Sequence, residues 1–336
     1  MSHDGSGRSY LTGIARACFE HGASYVYIMP ENKPLARIGL DQPVPFGDSP
    51  LEKTHIEEFL DSQVPSPHKE AFASTGFARF AFALCPGARC RVDLIMTVDG
   101  PSAVMHFLPD ALPGIDMLNV PGKVIEFAAA SSGVFLICGK PRAGKTTTLA
   151  SILQKINRTF FNHIVWICEA SEYLLGPSRS FVNQIETGYL GKVFDVTQRA
   201  VWIGADVVAL DIRIDENLAW QAVSAAERGA SVLMVVPASD AVAGLENLAN
   251  TVSSASRQEF AARLSRVFSG ALYQELIQGV KSPVPAIEFL VGTEPVRNLL
   301  REGRFPRIKD LIAAGGKYGM KTLESSKQRL SDEGLI

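Results

Sequence analysis

The chain of 336 residues lacks a surplus of charge of either sign: 33 Lys and Arg face 35 Asp and Glu, for a net charge of -2. That balance excludes a protein held on nucleic acid by bulk positive charge. No apolar run reaches the ~18–20 residues needed to cross a bilayer. The longest, Val124 to Cys138, is broken by Glu126 and two serines. The first eight residues, Met-Ser-His-Asp-Gly-Ser-Gly-Arg, hold no basic stretch followed by an apolar core, so no secretory signal is expected. Cysteine is sparse and scattered: Cys18, Cys85, Cys90, Cys138 and Cys168 contain no CxxC pair. Cys85 and Cys90 have no second Cys or His pair at zinc-like spacing, which leaves reduced, mostly buried thiols as the reading. The six histidines open no HExxH pair, and there is no internal repeat or low-complexity tract. These absences predict a soluble cytoplasmic protein with no nucleic-acid partner and no membrane insertion.

What is present is enough apolar residue, 46%, for sizeable cores, and a length that suggests two domains. Leu11, Ile14, Ala15, Cys18 and Phe19 fall at helical spacing between Tyr10 and His21. Strands are expected at Ser24–Met29, Leu35–Leu40, Ala78–Leu84, Arg89–Thr97 and Ala103–Leu108, with a helix near Glu52–Gln63. This is the pattern of a small α+β module built on a mostly antiparallel sheet. The segment Pro109–Pro121, with three prolines, punctuates the chain. Beyond it, continuous apolar runs at Gly133–Cys138, His163–Ile167, Asp206–Leu210 and Ser231–Val236 alternate with helical stretches. Strands buried on both faces suit a parallel sheet covered by helices. From about Arg257 the pattern predicts mainly helix to the end, with breaks at Gly303 and Gly315-Gly316. The resulting division is an N-terminal domain over 1–112, a linker over 113–121 and an α/β domain over 122–336.

One motif stands above the rest. Gly139-Lys140-Pro141-Arg142-Ala143-Gly144-Lys145-Thr146 fits G-x-x-x-x-G-K-[ST] and continues into Thr147. The strand before it and the helical run Lys145, Leu149, Ile152, Leu153, Ile156 after it supply the setting that phosphate binding needs. Backbone N–H groups wrap the phosphates, and the helix N-terminus adds its positive end. Lys145 would reach the β/γ-phosphates and the Thr146 hydroxyl would ligate Mg²⁺. The competing reading is a glycine turn before a surface helix with a solvated lysine. A second acidic element ends another apolar strand, Val207-Val-Ala-Leu-Asp211. Its carboxylate can hold hydrated Mg²⁺ as a Walker-B aspartate does, or it can simply close a turn.

On these residues the chain resembles the secretion-type hexameric ATPases, most closely the PilT-like family that drives type IV pilus retraction in twitching motility. Further matches are Ile156-Asn-Arg158, His163-Ile164, Glu172-Tyr173, Val182-Asn-Gln184, Ala225-Ala-Glu-Arg-Gly229, Val296-Arg-Asn-Leu-Leu-Arg-Glu-Gly303 and Gly319-Met-Lys-Thr-Leu323. The resemblance implies a RecA-like P-loop NTPase core with a smaller PAS-like N-terminal domain, and ATP and Mg²⁺ as ligands. It also implies a ring, either a homo-hexamer or a mixed ring with a paralogue, working against an inner-membrane pilus platform protein from the cytoplasmic side. Arg91 matches a family arginine that contacts ATP, while a second such arginine aligns with His106.

The departures from that family are concentrated at the chemistry. Where it has Gly-Glu at a strand end, this chain has Asp211-Ile212. The family sequence Ile-Glu-Asp-Pro-Ile-Glu becomes Ile167-Cys168-Glu169-Ala170-Ser171-Glu172, so Glu172 matches and Glu169 sits one position from an expected glutamate. Such a shift on a strand turns a side chain to the opposite face. The family's histidine aligns with Pro237, and two arginines align with Gln198 and Trp202, beside Arg199. The phosphate cradle is retained while groups that position water and neutralise developing charge are missing. Glu172 and Glu169 are the remaining catalytic candidates, with Asp215 or Glu216 as substitutes if the alignment is offset. The expected function is an ATP-binding ring subunit of a pilus-retraction-type machine with weakened hydrolysis. The alternative is a non-hydrolysing regulatory subunit beside an active paralogue. A secretion or pilus-extension ATPase fits less well, because the larger N-terminal region and four-cysteine insert usual in those are absent.

Overall fold

The computed structural model describes residues 9–109, 111–130, 132–187, 197, 199–200, 203–280 and 282–336. The chain forms two compact units, the first comprising Met1–Ala111 with Glu169–Leu174 and Glu186–Gly191, the second comprising Leu112–Cys168, Leu175–Ile185 and Lys192–Ile336.

The first unit opens with α1 (Tyr10–Glu20), followed by β1 (Ala23–Ile28), β2 (Leu35–Ile38) and β3 (Val44–Pro45). Then come α2 (Lys53–Gln63), α3 (Ser66–Thr75), β4 (Phe77–Cys85), β5 (Ala88–Thr97) and β6 (Gly100–Pro109). The Ser9 side chain caps α1 by accepting from the Thr12 N–H, satisfying one of the donors a helix start leaves open. Helix α3 is not expected from periodicity. Its first turn holds a proline, where the missing N–H is harmless, and Gly76 ends it in the left-handed conformation. The sheet runs β3-β2-β1-β6-β5-β4, and every pairing is antiparallel. Period-2 alternation sends Phe80, Val92 and Met105 into the core with Leu11, Ile56 and Phe59. The opposite face carries Arg79, Arg91, Asp93 and His106.

The second unit begins with a 3-10 turn, Ile115–Leu118. Asn119 behind it donates to the Pro285 carbonyl and accepts from Arg329, so part of the Pro109–Pro121 stretch is fastened to this unit. Helix α4 (Gly122–Ala130), β7 (Gly133–Gly139), α5 (Lys145–Thr159), β8 (His163–Cys168), β9 (Phe181–Glu186) and β10 (Val207–Asp211) follow. The rest is α6 (Glu216–Glu227), β11 (Ser231–Pro237), α7 (Ala241–Asn250), α8 (Arg257–Val267), β12 (Phe268–Ile277), β13 (Val284–Val291), α9 (Glu294–Arg301), α10 (Pro306–Ala314) and α11 (Leu323–Asp332). The seven strands are ordered β13-β12-β7-β11-β10-β8-β9. Strands β12, β7, β11, β10 and β8 are mutually parallel, the arrangement of a RecA-like core, with β13 added antiparallel at the edge. Helices supply the apolar faces, and Val134, Leu136, Val208, Leu210, Val232 and Met234 form the centre of one cluster.

The helical expectation beyond Arg257 is overturned by β12 and β13. Phe268, Ala271, Leu272 and Tyr273 are all buried, so this run has no polar alternation to set it apart from α8, which it follows directly. Strand β13 brings a half-buried carboxylate with it. Glu288, opposite Tyr273, accepts from the Ala241 N–H at 2.9 Å. Burial raises its pKa above the ordinary carboxylate value, Asp240 and Glu324 add to that, and the Ala241 N–H and Lys309 oppose it. The folded chain thus holds this proton more tightly than the unfolded one. The associated stability is complete below the ordinary carboxylate range and is lost as pH rises through the folded value. Glu288→Gln retains an acceptor for Ala241. It should therefore melt above wild type at neutral pH, with the gap closing near pH ~4, as read by thermal denaturation across that range. An equal loss of stability at both pH values would contradict this.

Candidate functional site

Strand β7 is buried from end to end and lies between β12 and β11, so its C-terminal end delivers Gly139 to the middle of the parallel sheet. The loop Lys140–Ala143 leads to Gly144, which sits at φ 80° as the N-cap of α5. A side chain is penalised there, and Gly144 turns the chain so that α5 starts at Lys145. Arg142 adopts φ 65° without being glycine, a left-handed conformation that costs about 1–2 kcal/mol. The Lys145 ammonium donates to the Lys140 carbonyl at 2.8 Å, so the loop folds over its own lysine. Burial lowers the Lys145 pKa, while the negative charge of Asp211 and the nearby Cys138 thiol oppose that shift. Lys145 of the phosphate loop and the Asp211 carboxylate therefore attract one another within one unit.

Two neighbouring strand ends complete this region. Asp211 closes β10 in register with Cys168 of β8. Ile212 follows it, 8% exposed and packed into the apolar cluster of this unit. Pro237 closes β11 in register with Gly139, and the Ala238 N–H donates to the Gly139 carbonyl at 3.3 Å. The position at which the resemblance implies a histidine is thus beside the loop, but a proline fills it and offers no side-chain donor. Gln198 and Trp202 lie outside the described residues.

Glu169, Glu172 and Arg91 belong to the first unit. Arg79 and Asp93 are directly opposite on β4 and β5 and are ion-paired, and Arg79 also pairs with Glu169. Arg91 pairs with Glu172, and with Asp93 at 3.4 Å. Arg89 donates twice to the Ser171 carbonyl, at 3.1 and 2.9 Å. Burial pulls the Arg91 pKa down, but Glu172 and Asp93 more than reverse this and hold it above its ordinary value. Strand alternation does not turn Glu169 to the opposite face, because β8 ends at Cys168. Free of strand alternation, Glu169 reaches an arginine on the same sheet face as Glu172 does. Both carboxylates are thus committed to guanidinium groups. His106, where a second arginine was implied, lies opposite Arg91 and stacks on Tyr25 with ring centroids 4.2 Å apart.

The donor set suits a hard cation carried in with a polyphosphate. No group of three or more His, Cys, Asp or Glu among the described residues could hold a metal by itself. Mg²⁺ needs only one or two protein oxygens beside phosphates and water. The Thr146 hydroxyl and the Asp211 carboxylate are of that kind. Sequence reasoning missed Arg79, Asp93 and Gln274. The first two were legible only as alternating charged positions on strands, and the third lay in the stretch read as helix. No described helix is long and apolar enough to cross a membrane.

No protein-family model matches the chain. It is similar to the type IV pilus retraction ATPase PilT of Pseudomonas aeruginosa, at 25% identity over 328 residues covering 97% of this chain and 95% of that protein. It is also similar to a twitching motility protein of Neisseria gonorrhoeae, at 28% identity over 260 residues, 76% of this chain and 70% of the relative. Among solved structures, the pilus retraction motor PilT with bound ADP superimposes with a TM-score of 0.80 at 25% identity, over 97% of this chain and 94% of that one. The resemblance to the PilT-like ATPases therefore extends over most of the sequence and of the fold.

Proposed function

We propose that the chain is an ATP-binding ring subunit of a type IV pilus retraction-type machine whose own hydrolysis is weakened. The observation that carries this reading is the pairing of an intact phosphate loop with Ile212 and Pro237 at the strand ends beside it. In this reading Gly139–Thr147 cradle the phosphates, Lys145 leaves the Lys140 carbonyl to neutralise them, and Thr146 with Asp211 hold Mg²⁺. Mg²⁺ supplies charge neutralisation at the β/γ-phosphates. Arg91 is the N-terminal arginine that would turn to the nucleotide, giving up its pairs with Glu172 and Asp93, and Glu169 and Glu172 are the carboxylates assigned a catalytic role. The division into 1–112, a linker at 113–121 and 122–336 is part of the same proposal. So are the hexameric ring and a platform protein at the cytoplasmic face of the inner membrane as its mechanical partner.

A second reading, a non-hydrolysing subunit that regulates an active paralogue, is favoured by the commitment of both Glu169 and Glu172 to arginines. Two measurements on the purified full chain separate these readings. Calorimetry should detect Mg·ATP binding, and phosphate release should be slow for the chain alone. Turnover that rises only on mixing with an active paralogue selects the regulatory reading. Light scattering with ATP present should show a ring, and a monomer at high concentration would remove the ring from the proposal.

A further inference from the structure

Gln274 is 1% exposed and lies on β12 in register with Gly139 of β7, where the sheet runs alongside the first residue of the phosphate loop. Its side-chain amide donates to the Ala143 carbonyl. Its main chain and side chain both wall the loop. A Cβ on Gly139 would come within 2.8 Å of the Gln274 carbonyl oxygen, and one on Gly144 within 3.1 Å of Nε2. The Gln274 Oε1 is buried with no hydrogen-bond partner among the described residues. A buried acceptor without a donor is destabilising, so packing alone would be better served by Leu or Met. The amide therefore has to be explained by its donor.

We infer that Gln274 is the positioning residue of the phosphate loop. In a trans peptide the C=O of one residue and the N–H of the next point in opposite directions. By gripping the Ala143 C=O from the β12 side, Gln274 turns the Gly144 N–H away from β12. Gly144 is the N-cap of α5, and its N–H is one of the open donors at that helix start. Gln274 thus sets the direction of a loop amide without itself touching phosphate, and it ties that direction to the rigid sheet. The inference rests on the reading of Gly139–Thr147 as a nucleotide loop.

The test uses the full chain with Mg·ADP and, separately, inorganic pyrophosphate as a competitor. Gln274→Met keeps the volume and removes the donor, Gln274→Glu keeps the length and removes the N–H, and Glu275→Gln is a control on the same strand facing Lys327. Both Gln274 variants should bind ADP about 10-fold more weakly, and pyrophosphate by the same factor, because only the phosphate-facing amides are disturbed. The control should bind as wild type does. A merely structural glutamine would lower the melting temperature of the unliganded chain and leave both affinities unchanged, and that outcome overturns the inference. If Gln274→Met fails to fold, Gln274→Glu carries the test, and wild-type affinity in that variant overturns it equally. Wild-type protein that binds no ADP would remove the nucleotide reading, and this inference with it. Wild-type binding with unaffected variants would remove the inference alone.

Discussion

Lys145→Ala should weaken Mg·ATP binding about 10- to 100-fold while leaving the unliganded chain almost as stable as wild type. The two halves of that result have separate causes. Bonds from a charged donor to an anion contribute about 1.5–3 kcal/mol, and each 1.4 kcal/mol is a factor of ten in affinity. In the unliganded chain the ammonium donates to the Lys140 carbonyl, and burial disfavours its charged form by more than Asp211 favours it. Because the folded pKa is depressed, the charged lysine weighs against the fold at neutral pH, and its removal offsets the lost bond to Lys140. Calorimetry with ATP and thermal denaturation without it read the two halves independently. Unchanged affinity would mean that the loop does not act through Lys145. A large drop in melting temperature would mean that the lysine is structural.

Local chemistry explains why some of this site could be read from the amino-acid order and some could not. The phosphate loop was legible because its parts are contiguous: an apolar strand, two glycines at fixed spacing, a lysine and a helix all lie within 133–159. Asp211 was legible for the same reason, as the one charge closing an apolar strand. The N-terminal sheet followed from alternation, since Phe80 and Val92 point one way and Arg79, Arg91 and Asp93 the other. Partnership across long sequence separation was not legible. Glu169 pairs with Arg79, 90 residues away, and Gln274 reaches Ala143, 131 residues away. Neither relation leaves a periodic trace in the chain. Strand β12 failed for a different reason: a strand buried on both faces loses the period-2 signal, and α8 immediately before it extends a helical reading forward.

Ile212→Glu should raise single-turnover hydrolysis at saturating ATP on the order of 10²-fold or more, with little change in ATP affinity. A positioned base contributes ~10²–10⁴-fold, and position 212 directly follows the carboxylate that closes β10. The same substitution should lower stability, because Ile212 is 8% exposed and packed in the apolar cluster of the second unit. Losing that burial costs about 1.5–3 kcal/mol, and placing a carboxylate there adds to the cost. Ile212→Gln separates the two effects. It has nearly the same size and the same loss of apolar burial, yet its amide cannot take a proton from water. The expected pattern is a similar fall in melting temperature for both variants and a gain in rate for the glutamate alone. That gain should still fall short of a full motor rate, since Pro237 continues to occupy the strand end beside Gly139. Equal rates for Ile212→Glu and Ile212→Gln would show that position 212 does not face the reacting water. A wild-type chain that already turns over at motor rates would show that Glu169, Glu172 or another carboxylate leaves its arginine to act as the base.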